Sequence, residues 1–144
     1  MIDVRRLFVS LSLAACEVTE PNFGAEFQTA DRGACRLADS DPEVDVKYAD
    51  VLAQVIVPGC SCHLSLGGFG VTVGGLLLTD YDRVLGGGRH GPEAVIPFDP
   101  CGSYVVQKTG TSPPFGARMP LNGRALKPAV RQLLIDWIAE GAKE

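Results

Sequence analysis

Residues 59–63 read Gly-Cys-Ser-Cys-His, so two thiols stand one residue apart with an imidazole directly after them. Three chemistries use such a set. Thiols can add to the vinyl groups of a haem while the histidine ligates its iron. Thiolates and imidazole can also clip a zinc or copper ion, with His90 or Cys101 as a fourth ligand. Alternatively, Cys60 and Cys62 can pair with Cys35 and Cys101 as disulfides, for which four cysteines allow three connectivities. The spacing discriminates among these. Zinc sites place two to four residues between neighbouring cysteines so that both can wrap a tetrahedron, and this pair has one. An all-disulfide arrangement leaves His63 and Met119 without a role. Met119 is the only methionine besides the initiator. It lies between Arg118 and Pro120, a poor place for core filler and a well-anchored one for a thioether ligand, which raises the potential of a haem iron.

The thiol pair needs a scaffold, and periodicity supplies two helices. Tyr48, Val51, Leu52, Val55 and Ile56 form one apolar stripe in Asp45–Gly59, with Asp45 as the N-cap and Pro58-Gly59 as the stop. Cys60, Cys62 and His63 then fall just past a helix C-terminus. Near the other end, Pro128 opens a second helix whose stripe is Val130, Leu133, Leu134, Trp137 and Ile138, with Gly141 ending it. Between them the chain is turn-rich. Short helices are expected after Thr79 and after Ser103, and a short strand at 71–73 or 76–78. With 17 glycines and 10 prolines in 144 residues, the expectation is one small all-α domain of short helices and loops, thin in core. A haem would supply the missing apolar body. A net charge of −4 argues against nucleic acid as a partner. Neither a Ser-His-Asp order nor a paired-carboxylate pattern points to an enzyme.

The first 15 residues read as a signal. Arg5 and Arg6 precede an apolar run too short to span a bilayer, ending in Leu13-Ala14-Ala15-Cys16. That ending resembles the lipobox of bacterial lipoproteins, which implies cleavage before Cys16 and a lipid on its thiol. Export to the bacterial cell envelope follows, with a membrane anchor at Cys16. Residues 16–43 then form a polar tether and lead-in, and residues 44–144 the domain.

The order of motifs across residues 45–142 resembles the small mono-haem c-type cytochromes of exported myxobacterial and planctomycete proteins. The run comprises Val55-Ile56-Val57-Pro58-Gly59-Cys60-Ser61-Cys62-His63, then Gly74-Gly75-Leu76-Leu77-Leu78, Ser103 to Lys108, Arg118-Met119-Pro120, and Trp137 to Ala142. The resemblance implies a cytochrome c-like fold around one covalent haem c, bonded by Cys60 and Cys62, with His63 and Met119 as axial ligands. It implies electron transfer to redox partner proteins, with Cys35 and Cys101 left over for a bridge. His90 is the substitute ligand if Met119 does not serve; Arg89, Lys108 and Arg118 are candidate partners for the haem propionates. The departure lies between the thiols. Register on Pro58 makes Cys60 the first attachment cysteine. Register on His63 puts Gly59 there and leaves Cys62 alone in place. Two thioethers are the expectation, since an exported chain has little use for an idle thiol beside a haem. The alternatives are an envelope zinc or copper protein and a disulfide-braced lipoprotein.

Overall fold

The computed structural model describes residues 39–121 and 123–144. Cys16 and Cys35, with the signal and most of the tether, lie outside the described residues. Within them the architecture is all-α, with helices joined by tight turns and no strand. The elements are α1 (Tyr48–Val51), a π-helical turn (Leu52–Ile56), α2 (Val57–Gly59), α3 (Phe69–Gly74), α4 (Tyr81–Gly86), α5 (Tyr104–Thr109) and α6 (Pro128–Ala139). Single 3-10 turns occupy Ser61–His63 and Pro92–Ala94.

The first amphipathic stretch differs from its expected form in two places. Asp45 is not its cap. Lys47 is the N-cap, with its N–H donating to the Asp50 carboxylate at 3.2 Å, while Asp45 instead accepts from Lys143 at 2.7 Å. The stretch ends at Gly59 as expected, but Pro58 sits inside its last turn. A proline there has no N–H for the Gln54 carbonyl and crowds that carbonyl with its ring. The helix widens just before it, where the Val57 N–H reaches back five residues to the Leu52 carbonyl. The apolar stripe survives: Tyr48, Val51, Val55 and Ile56 are buried.

Helix α6 packs against this stretch and against α5. Contact on two sides buries Ile135 and Asp136 as well as Leu134, Trp137 and Ile138, so the buried arc is wider than the sequence stripe. Tyr48 stands between Trp137 and Tyr81, its ring centroid 5.7 Å from one and 5.6 Å from the other. Polar tips of these rings are satisfied by backbone, as buried aromatic donors require. The Tyr48 hydroxyl donates to the Leu78 carbonyl, Tyr81 to Ala142, and the Trp137 indole N–H to Lys143. Burial also pushes the Tyr48 pKa up to about 12. Gly141, at φ +100°, turns the chain so that these last carbonyls fold back onto the core.

The middle also departs from expectation. The segment 71–73 lies in helix α3 and 76–78 has no regular structure, so neither forms a strand. Asp80, not Thr79, caps α4 by accepting from the Arg83 N–H at 3.0 Å. Ser103 does cap α5 by position, but its buried hydroxyl is turned away. It accepts from the Ile96 N–H and donates to the Asp99 carbonyl, both at 2.8 Å, and so ties the 96–99 loop to α5.

Candidate functional site

The helix end delivers the thiols as the periodicity implies. Cys60 is the C-cap of α2, its N–H bonded to the Ile56 carbonyl at 2.8 Å, and Ser61–His63 form the 3-10 turn that follows. The two cysteines have different surroundings. Cys60 is half-buried against the core, with its Sγ 4.0 Å from the Val55 carbonyl. That burial, with the neighbouring Cys62 adding to it, raises its thiol to about 11. Cys62 is exposed.

His63 is held with its reactive nitrogen free. Its Nδ1 lies 2.8 Å from the Leu76 carbonyl. A carbonyl only accepts, so Nδ1 is the donor, and in the neutral ring the lone pair is then on Nε2. The same residue's carbonyl accepts from Leu78 N–H at 2.9 Å, so His63 and the 76–78 segment lock each other. The imidazole face rests on Gly70 of α3. A Cβ built there would lie 2.5 Å from both Nε2 and Cε1 and 2.7 Å from Cδ2. Near-equal distances put that position over the ring face. A group in line with the Nε2 lone pair would lie much farther from the two carbons than from the nitrogen. Gly70 therefore supports the ring without covering its ligating direction. An orienting carbonyl behind a histidine is the arrangement that metal-ligating imidazoles use.

Within the loop bracketed by His63 and Leu76, Leu66, Phe69 and Val73 are more than half exposed. Phe69 and Val73 are one helical turn apart on α3 and share a face. Apolar side chains left in water within the loop that His63 and Leu76 bracket suit a large flat apolar ligand.

Met119 belongs to a loop tied at two points. Its N–H donates to the Lys108 carbonyl at 2.7 Å, while the Lys108 ammonium donates to the carbonyls of Phe115 and Ala117. Burial lowers the Lys108 pKa. Lys108, a candidate propionate partner by sequence, is thus occupied as the latch of the Met119 loop. Arg89, another of the three, donates to the Thr72 carbonyl at 3.2 Å; Arg118 is exposed. The loop reaches the thiol turn itself: a Cβ on Gly59 would stand 3.8 Å from Pro120 Cγ and 3.1 Å from Leu126 Cδ2.

His90 is placed elsewhere. Its ring stacks on Phe115 with centroids 3.9 Å apart, and Tyr104 meets both rings edge-on. Cys101 lies half-buried ahead of α5 and packs on the core. Among the described residues no three His, Cys, Asp or Glu side chains converge as a cation site, so Cys60, Cys62 and His63 are not joined there by His90 or Cys101. No described helix is long and apolar enough to cross a membrane. The roles of Leu76 and Gly70 had no signal in the sequence, because a backbone carbonyl and a missing side chain act without a distinctive residue type. No family model, curated protein or solved structure matches the chain.

Proposed function

We propose that the chain is a mono-haem c-type cytochrome that carries single electrons and is anchored to the bacterial cell envelope by lipid on Cys16. The observation that carries the reading is His63. Its Nδ1 is fixed on the Leu76 carbonyl, which leaves Nε2 of the neutral ring as the ligating nitrogen, with Gly70 on the ring face and Cys62 as the preceding residue. The donor set fits a haem: an imidazole, thiols directly before it in the chain, a methionine loop whose Pro120 reaches Gly59, and exposed apolar side chains in the loop that follows. Bound there, the haem supplies an iron centre that changes charge by one electron.

The chain's own residues bind and tune. His63 and Met119 would ligate the iron, and a thiol of the segment before His63 would carry the covalent attachment. Leu66, Phe69 and Val73 would lie under apolar surface and keep water from the iron. No residue has to move a proton, so no catalytic role is assigned. The partners are redox proteins.

The test is a visible spectrum of the protein made alongside haem-attachment machinery, with intact mass measured on the same sample. A Soret band, sharp reduced-state bands and a mass raised by one haem are the expected result. A colourless, folded product of haem-free mass would overturn the reading.

A further inference from the structure

The geometry points to one covalent bond between this chain and its haem, made by Cys62 alone, with Cys60 kept as a thiol. The inference rests on the cytochrome reading and concerns which sulfur is used.

Four observations bear on it. Counting back from His63, the first attachment position is Gly59, which has no sulfur. Its Cβ direction faces Leu126 and Pro120, and at 3.1 Å from Leu126 there is little space for a larger side chain. Cys60, one residue later, does not turn to replace it. Its Sγ points back along the helix to the Val55 carbonyl and its side chain packs into the core. Its backbone, at φ −122° and ψ 33°, has left the helix, so the following 3-10 turn carries Cys62 off in another direction. Cys62 is exposed and directly precedes His63, whose Nδ1 is held by the Leu76 carbonyl.

The bond-forming step is an addition. The S–H bond of Cys62 breaks, sulfur bonds to one carbon of a haem vinyl group, and the hydrogen goes to the other vinyl carbon. Nothing is oxidised or reduced, and nothing leaves. The second vinyl group stays unsaturated.

The full-length protein, matured in a host with haem-attachment machinery, gives the test. After denaturation and alkylation, peptide mapping of the 60–63 segment should find haem on Cys62 and an alkyl group on Cys60. The pyridine haemochrome should show one unsaturated vinyl. Cys60→Ala should keep covalent haem with an unchanged haemochrome, whereas Cys62→Ala should release its haem to acidified organic solvent. The mapping of the unaltered chain stands even if a variant fails to fold. Haem bonded to both sulfurs, or a haemochrome shifted by Cys60→Ala, would overturn the single bond and leave the cytochrome reading intact. A colourless product of haem-free mass would remove both.

Discussion

At the scale of residues, the site depends on a glycine that does no chemistry. Gly70 lets the His63 ring lie flat against α3, and a Cβ at 2.5 Å from two ring atoms cannot be accommodated without moving the imidazole or the helix. Gly70→Ala is therefore expected to cost about 1–3 kcal/mol, the usual penalty for overpacking. It should also turn His63 away from the Leu76 carbonyl. Thermal melting measures the first effect. The second should appear as a smaller haem-bound fraction at equal expression, with the covalent attachment residues untouched. An alanine variant with wild-type melting and full haem content would show that the ring does not rely on this contact. The sequence displayed Cys60, Cys62, His63 and Met119 because their side chains bear distinctive chemistry. It concealed Gly70 and Leu76, which act through an absence and a backbone atom, and it concealed the latch role of Lys108, whose type suggests an anion partner.

At the scale of elements, the two long amphipathic stretches were legible because burial on one side imposes a helical period. The π turn was not, because it answers a local conflict between Pro58 and the preceding carbonyls that periodicity averages away. Nor was the wide buried arc of α6, which comes from packing on two sides. That helix also fastens the lead-in segment with two carboxylates. Asp136 accepts from the Ser40 N–H and hydroxyl at 3.0 and 2.6 Å, and from Gln132. Glu140 Oε2 accepts from the Val46 N–H, while its Oε1 is buried with no hydrogen-bond partner among the described residues. Burial raises the Glu140 pKa, with Asp39 and Asp45 adding to the rise and Lys143 and the Val46 N–H opposing it. A raised carboxyl pKa means the folded state holds the proton more tightly than the unfolded one. Folding is thus favoured below the ordinary value of 4.5, and that contribution is lost as pH rises through the folded pKa. Glu140→Gln keeps an acceptor for Val46 and removes the charge. It should melt higher than the parent at pH 7, and the two curves should converge as the pH falls below 4.5. A gap that persists in acid would assign the effect to packing instead of ionisation.

At the scale of the whole molecule, the candidate ligands come from two separate loops of the described chain, each held by backbone ties. His63 is fixed by the 76–78 segment, and the Met119 loop by Lys108 at the end of α5. Lys108 contributes on both sides of its own Cα: its carbonyl takes the Met119 N–H and its ammonium takes two carbonyls of the loop. A charged hydrogen bond contributes roughly 1.5–3 kcal/mol. Losing both ammonium bonds should free the loop while the helices, which share none of these contacts, stay packed. Lys108→Met retains the stem and deletes those bonds. In the haem-bound protein this variant should keep its covalent haem and its Soret band. It should lose the weak long-wavelength absorption of sulfur–iron ligation and show a lower reduction potential, because the thioether is what favours the reduced iron. Met119→Ala should give the same two losses with Lys108 intact. Matching signatures would place the two residues in one unit. Full sulfur ligation in Lys108→Met would show that the Lys108–Met119 backbone bond, the packing of Pro120 near Gly59 and the stacking of Phe115 on His90 hold the loop without the ammonium.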